Sequence, residues 1–184
     1  MDLHGAFKGF QMKFFSGFSL KNEEYLFDAF IKKSDYSVCG FSYGAIEAFE
    51  FAQQQLSSGK RIDTLQLFSP AFFQTRDDKF KRLQMLAHSK KRFEYMNHFI
   101  DSCFHPYNKK IVEFKESSQE ELSELLNHEW ITRELQEISQ KGVNVEVYLG
   151  GEDKIIDVDG ARKFFLEVAT VTYVKKANHF LQTN

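Results

Sequence analysis

The feature that most constrains this chain is a strand, a sharp turn and a helix in direct succession around residue 40. Residues 36–40 are short and strand-like, and Tyr43–Ser57 repeats apolar side chains at helical spacing. The turn between them is Gly40-Phe41-Ser42-Tyr43-Gly44. Because both glycines let neighbouring backbones approach closely, the Ser42 hydroxyl is expected to project from the carboxyl edge of a sheet.

Strand-like and helix-like segments alternate along most of the chain. Strands are predicted at residues 12–15, 36–40, 64–68, 143–149 and 170–174. Helices are predicted at residues 22–33, 43–57 and 158–168. Between residues 72 and 142 the alternation stops, and helical stretches appear around 80–87, 93–104, 120–126 and 130–140. This pattern predicts an α/β fold, a mainly parallel sheet flanked by helices, with an inserted helical cap at about 72–142.

The length of 184 residues suits one domain, which we place at residues 12–184. Residues 1–11 are expected to be a leader or an added tail, because Met12 offers a second start just before a strand. Phenylalanine occupies 21 positions, which predicts a core rich in Phe.

Composition excludes several classes of partner. With 24 Lys plus Arg against 26 Asp plus Glu, the net charge of -2 gives no general attraction to nucleic acid or to an anionic membrane. No apolar run approaches the roughly 20 residues that span a bilayer, and no signal peptide is evident. Two cysteines, Cys39 and Cys103, are too few for a disulfide scaffold, so we expect a cytoplasmic protein.

Two further residues complete a catalytic pattern with Ser42. Asp153 follows the strand predicted at 143–149, and His179 lies in the loop after the last strand. The chain order Ser, Asp, His, with each residue just beyond a strand, is that of the α/β-hydrolases, which this chain therefore resembles. Alone, an Asp after glycines is usually a turn residue and a loop histidine is usually solvated.

The chemistry explains why these residue types belong together. A serine hydroxyl is a weak nucleophile at neutral pH, so an imidazole must take its proton, and we assign His179 as that base. A carboxylate on the other ring nitrogen orients the imidazole and stabilises the imidazolium. Asp153 is the expected carboxylate, with Asp157 as the alternative.

A developing oxyanion needs two backbone amides, and the sequence offers one candidate for each. The first is Tyr43, the residue after the nucleophile. The second is Phe18, because Ser16-Gly17-Phe18 follows the first strand; an ordinary turn is the alternative interpretation. The other histidines lack metal-ligand spacing, and neither cysteine lies in an activating motif, so neither metal nor cofactor is expected.

Four segments together resemble a particular group of hydrolases. They are Lys13-Phe14-Phe15-Ser16-Gly17-Phe18, Gly40-Phe41-Ser42-Tyr43-Gly44-Ala45, Leu67-Phe68-Ser69-Pro70 and Asn178-His179-Phe180-Leu181-Gln182. From Met12 to its end, the chain is similar to the compact BioV-type pimeloyl-acyl-carrier-protein methyl ester esterases. The Ser16-Gly17 pair replaces the His-Gly that is frequent in larger hydrolases, which bears on the second oxyanion donor.

The resemblance implies a function and a partner. The chain would remove the methyl ester from a pimeloyl chain carried by acyl carrier protein, in biotin biosynthesis. Ser42 would form the acyl-enzyme, His179 would move the proton and Asp153 would orient it. A generic carboxylesterase or thioesterase acting on a small free acyl substrate, or a non-catalytic binding module with a hydrolase fold, are the alternatives.

A basic cluster in the first half of the predicted cap suits an acidic carrier, although a solvated helix face is the alternative interpretation. Its members are Arg76, Lys79, Lys81, Arg82, Lys90, Lys91 and Arg92. Aromatic cap residues are candidates for an acyl channel, although at helical spacing they are more often core. They are Phe93, Tyr95, Phe99, Phe104 and Tyr107.

Overall fold

The computed structural model describes residues 12–184, so the leader predicted at residues 1–11 lies outside the described residues. The strands are β1 (Lys13–Phe15), β2 (Leu20–Lys21), β3 (Ser37–Phe41), β4 (Thr64–Phe68), β5 (Glu113–Phe114), β6 (Asn144–Gly150) and β7 (Thr170–Val174). The α-helices are α1 (Tyr43–Ser57), α2 (Asp78–Lys90), α3 (Arg92–Phe104), α4 (Gln119–Asn127), α5 (Thr132–Gln140) and α6 (Val158–Phe165). No helix in this described part is long and apolar enough to cross a membrane.

The main sheet is entirely parallel, with the strand order β1-β3-β4-β6-β7. The carboxyl ends of its strands are therefore aligned along one edge, and the loops that carry candidate catalytic residues leave from this edge. The paired residues there are Phe15 with Gly40, Phe41 with Phe68, Phe68 with Tyr148, and Gly150 with Val174. The fold predicted from the alternation of strands and helices is confirmed.

Helices α1, α5 and α6 cover one face of the sheet. Successive strands are neighbours, and right-handed crossovers between such strands place the connecting helices on the same face. Apolar strand residues on this face pack with apolar helix residues in one continuous core. Examples are Val38, Leu65, Leu67 and Val145 from the strands and Ile46, Phe49, Leu135 and Phe165 from the helices.

Aromatic side chains form the core on the other face of the sheet, as the Phe content predicted. Phe41 and Phe68 point to this face and both are fully buried. The Phe27 ring stacks on that of Phe68 with 4.9 Å between centroids, and the Phe180 ring lies 4.9 Å from that of Phe41. The C-terminal segment is thereby packed onto the strand that precedes Ser42.

The prediction of a helix at residues 22–33 is wrong, because only a short 3₁₀ helix at Glu24–Phe27 forms there. Asn22 has a left-handed backbone conformation, with φ of 61°. At the other end, the Gln66 side chain accepts a hydrogen bond from the Lys32 amide and donates one to the Phe30 carbonyl. These backbone groups bind a side chain of β4 instead of extending a helix.

The insertion between β4 and β6 contains α2, α3 and α4, with α2 packed against both of the others. It also contains β5, which pairs with β2 in a small antiparallel sheet that places Leu20 opposite Phe114. This small sheet, which the sequence pattern did not predict, attaches the insertion to the loop after β1. Helix α5 contacts β6, so it leads the chain from the insertion back to the main sheet.

We predict that Gln66→Leu lowers the free energy of unfolding by about 2–4 kcal/mol. The buried Gln66 amide bonds Phe30, Lys32, Glu146 and Tyr148, and leucine would leave these polar groups without their partner. Urea unfolding measures the change, and Thr64→Val, at a half-buried position of the same strand, is the control. Equal stability of the Gln66→Leu and Thr64→Val proteins would contradict this role of Gln66.

Candidate active site

Ser42 lies in a tight turn between β3 and α1, in a backbone conformation that side chains rarely adopt, with φ of 54° and ψ of −114°. Its amide donates to the Phe68 carbonyl at 2.9 Å, and its carbonyl accepts from the Ala71 amide at 3.1 Å. A Cβ atom at Gly40 would collide with the backbone of Gly44. The strand-turn-helix predicted from the sequence is therefore present, with glycine required where the backbones meet.

His179 and Asp153 form a buried hydrogen-bonded pair at the same edge of the sheet. His179 Nδ1 lies 2.6 Å from Asp153 Oδ2, and both side chains have no exposed surface. Asp153 follows β6 and His179 follows β7, as the sequence predicted. Because the Asp153 oxygen faces Nδ1, it favours the tautomer with the proton on that nitrogen and leaves Nε2 able to accept a proton.

The backbone holds the Asp153 carboxylate from its other side. Oδ1 accepts hydrogen bonds from the amides of Ile155 at 2.7 Å and Ile156 at 3.3 Å. Asp157, the alternative acid, is used elsewhere: it caps α6 through the Gly160 amide and accepts from Thr75. The structure therefore pairs His179 with Asp153 and not with Asp157.

The free nitrogen of His179 is available for a proton. Within residues 12–184, Nε2 is buried and has no hydrogen-bond partner. The His179 ring packs on the Phe41 ring with 4.9 Å between centroids, and Phe41 directly precedes Ser42. The Ser69 hydroxyl fixes the His179 backbone by donating to its carbonyl at 2.8 Å. A direct bond from the Ser42 hydroxyl to Nε2 is not formed, and such catalytic bonds often tighten only when substrate binds.

The two candidate oxyanion residues lie on segments that touch each other. Tyr43 begins α1, where helix amides lack partners within the helix. Phe18 lies in the loop after β1, and a Cβ atom on Gly44 would collide with the carbonyls of Phe15 and Ser16. The loop therefore runs against the turn that carries Ser42, although which amide faces the reaction stays a prediction.

The Tyr43 side chain also connects this turn to the insertion. Its hydroxyl donates to Glu124 Oε2 of α4 at 2.7 Å. Burial, together with this hydrogen bond to a carboxylate, raises the pKa of the Tyr43 phenol, so the phenol stays protonated and remains a donor.

A cavity of about 360 Å³ lies between the insertion and the loops beside this site. Phe18 and Ile155 line it, and their backbones belong to the loop after β1 and to the turn that holds Asp153. Its wall is mostly apolar, with the polar groups of Arg76, His98 and Lys154 among the lining. Such a space suits an acyl chain.

The aromatic cap residues separate into different environments. Tyr95 and Phe99 line the cavity. Phe104 is core with 1% of its surface exposed, whereas Phe93 is 79% exposed. The Tyr107 hydroxyl donates to the Lys176 carbonyl at 2.6 Å.

The members of the predicted basic cluster also differ in the groups that they contact. Arg76 lines the cavity and lies over the Phe80 ring. Lys91 pairs with Glu94 at 2.9 Å, and Arg92 donates to the Ser117 carbonyl.

His88 of α2 was given no role from the sequence, because its spacing from the other histidines suggests no metal site. It is only 2% exposed, and its Nδ1 lies 2.8 Å from Gln119 Nε2. Because an amide nitrogen donates, Nδ1 must accept, which requires the neutral ring. Its ring packs on those of Tyr95 and Phe18, at 5.4 Å and 5.9 Å, so a residue of the insertion contacts the loop after β1.

Comparisons with known proteins identify the fold. No protein-family model matches the sequence, and a search of curated protein sequences finds no relative. Among solved structures, carboxylesterase CesB (YbfK) from Bacillus subtilis is similar with a TM-score of 0.63 and 13% identity, covering 94% of this chain and 78% of that chain. BioG from Haemophilus influenzae is similar with a TM-score of 0.56 and 12% identity, covering 96% and 92%. The chain therefore has the α/β-hydrolase fold.

We predict that acid destabilises the protein partly through His88. Burial, and then the nearby Arg92 charge, lower the pKa of His88 below its ordinary 6.5. As the pH falls through 6.5, His88 of the unfolded chain binds a proton before His88 of the folded chain does. The free energy of unfolding therefore decreases as the pH drops. Urea unfolding at about pH 7.5 and about pH 5.5 should show a smaller difference for His88→Leu than for the unchanged protein.

A second, half-buried histidine, His128, provides a parallel test of the same effect. Burial also lowers the pKa of His128, so His128→Leu should remove a further share of the same pH dependence. An unchanged pH dependence in His88→Leu would show that His88 binds its proton equally in the folded and unfolded chains, and would contradict a lowered pKa.

Proposed function

We propose that this chain is a serine esterase in which Ser42 is the nucleophile, His179 the general base and Asp153 the residue that orients it. The observation that carries the proposal is the fully buried 2.6 Å pair of His179 and Asp153. This pair lies against the strand that presents Ser42 in a strained turn. A histidine held by a carboxylate, with its other nitrogen unoccupied, is what a serine nucleophile requires.

In the first half of the reaction, Ser42 Oγ attacks the ester carbonyl while His179 Nε2 takes the hydroxyl proton. The carbonyl oxygen becomes an oxyanion, to which the Tyr43 and Phe18 amides would donate. When this intermediate collapses, the bond to the alcohol oxygen breaks and Nε2 returns the proton to it. An acyl group then remains on Ser42, and methanol leaves if the substrate is a methyl ester.

In the second half, a water molecule replaces the alcohol. Nε2 removes one of its protons as the oxygen attacks the acyl carbonyl, and a second oxyanion forms at the same amides. Its collapse releases the acid and returns the proton to Ser42 Oγ. Asp153 stays ionised throughout and stabilises the imidazolium that forms twice in each cycle.

For the substrate we propose the methyl ester of pimeloyl-acyl carrier protein, from the resemblance to BioV-type esterases. Two structural features support this choice. The cavity is mostly apolar, as a methylene chain requires, and Phe18, from the loop that runs against the Ser42 turn, is among the residues that line it. The exposed cations of the insertion, including Lys79 and Arg82, lie on α2, whose Phe80 and Gln84 line the cavity.

A generic carboxylesterase is the second candidate, because the catalytic residues determine the bond that is broken and not the acyl chain. Two proteins of similar structure are a carboxylesterase and a naproxen esterase from Bacillus subtilis, the latter at 12% identity with a TM-score of 0.58 and coverage of 94% of this chain and 78% of that chain. A non-catalytic binding module is less favoured. A strained serine and a buried carboxylate both cost stability, and binding alone gives no reason to keep them.

We predict that the protein removes the methyl group from pimeloyl-acyl carrier protein methyl ester, and that Ser42→Ala does not. Mass spectrometry of the carrier measures the lost methylene mass, and the Ser42→Ala protein is the control. If the ester stays intact while a p-nitrophenyl ester is cleaved, the chain is a generic esterase. If neither is cleaved by folded protein, the esterase proposal is wrong.

We also predict that Lys79→Glu with Arg82→Glu slows turnover of the carrier-linked ester by about 10-fold or more and leaves a small free ester unaffected, because complementary charge speeds encounter. The matched control is Lys60→Glu with Lys141→Glu, which makes the same charge change at exposed positions just before β4 and β6, at the opposite edge of the sheet. Equal loss on both esters, or equal loss in the control, would contradict docking of the carrier on α2.

A further inference from the structure

Glu23 is a buried carboxylate that the proposed reaction does not use. It lies between β2 and the 3₁₀ helix, and none of its surface is exposed. Its Oε1 accepts a hydrogen bond from the Gly17 amide at 2.6 Å. Its Oε2 is also buried and, within residues 12–184, has no hydrogen-bond partner.

The contact with Gly17 acts on the loop that touches the Ser42 turn. The Gly17 carbonyl accepts from the Leu20 amide at 3.0 Å, which closes a turn around Phe18. On its other side Gly17 lies against Phe41, because an added Cβ would approach that ring to 2.7 Å. Gly17 is therefore held between the Glu23 carboxylate and the residue that precedes Ser42.

We propose that Glu23 is a positioning residue for the oxyanion site, acting through the loop of Ser16, Gly17 and Phe18. By binding the Gly17 amide, Glu23 removes that amide from the reaction and sets the orientation of the next peptide group. The Phe18 amide then becomes the donor that faces the Ser42 turn. This inference rests on the proposed function, because it assigns a task within the same reaction.

The environment of Glu23 explains why a carboxylate is suited to this task. Burial raises the pKa of Glu23, whereas the hydrogen bond from Gly17, the Ser16 hydroxyl and the charge of Lys115 oppose that rise. The groups that favour the ionised form therefore include two residues of the loop itself. Because Glu23 is fully buried, loss of its carboxylate would remove the partner of the Gly17 amide, and the loop would have to move to satisfy that amide.

The test compares Glu23→Ala with Glu23→Gln in ester hydrolysis. Glu23→Ala removes the acceptor and should lower kcat about 10- to 100-fold while KM changes less than about 3-fold, because the oxyanion site acts on the transition state. Glu23→Gln keeps an oxygen for Gly17 and should restore kcat to within about 5-fold of the unchanged protein. If kcat of folded Glu23→Ala stays within 2-fold (about 0.4 kcal/mol), or if the loss appears in KM alone, the proposal is overturned.

Glu146→Ala is the matched control for the loss of a buried carboxylate. Glu146 is 7% exposed, lies in β6 and bonds Lys32, Gln66 and Tyr148 away from the catalytic loops. The Glu146→Ala substitution should lower the melting temperature and leave kcat of the folded protein unchanged. A fall in kcat equal to that of Glu23→Ala would show that lost stability explains both.

An NMR measurement that does not depend on catalytic activity tests this inference separately from the proposed function. The proton resonance of the Gly17 amide should lie downfield in the unchanged protein and in Glu23→Gln, and move upfield in Glu23→Ala. An upfield position in the unchanged protein would overturn the inference even if the esterase is active. An enzyme that cleaves no ester would overturn the esterase proposal, and the catalytic role of Glu23 with it, while the Gly17 signal still reports the hydrogen bond.

Discussion

The backbone of Ser42 is the constraint on which the rest of the site depends. A serine at φ of 54° is strained by about 1–3 kcal/mol, so its surroundings must hold it in place. Hydrogen bonds to Phe68 and from Ala71 do so at the carboxyl end of β4, and Gly40 and Gly44 allow β3, α1 and the loop after β1 to meet around the turn. Because all five strands of the main sheet are parallel, the same edge also receives Asp153 from β6 and His179 from β7.

Much of the fold follows from local sequence pattern. Helix α1 and the strands β4 and β7 have the predicted bounds, because each is a periodic segment bounded by turn residues. The prediction failed at residues 22–33, where helical spacing is present but the side chain of Gln66 binds the backbone at Phe30 and Lys32. That competition joins segments far apart in the chain, and no local pattern contains it. The pairing of β2 with β5 has the same character, since each strand has only two residues.

The site was partly predictable for a related reason. Ser42, Asp153 and His179 were predicted from motif and chain order, and the parallel strands bring the residues after them to one edge. The structure adds the 2.6 Å pairing of His179 with Asp153 and shows why Asp157 is not the partner. Neither Glu23 nor His88 was given a functional role from the sequence, because neither lies in a motif. Both are buried only because loop and insertion fold over them, which is a tertiary property.

The central claim, that Ser42 is activated by His179, is tested most directly by reaction with a fluorophosphonate followed by tandem mass spectrometry. Such reagents phosphonylate a serine whose proton a neighbouring base removes, and they react slowly with ordinary hydroxyls. The structure predicts a single adduct on Ser42, formed at least about 100-fold more slowly in folded His179→Ala. No adduct in the folded unchanged protein, an adduct on another residue, or an equal rate in His179→Ala would contradict it.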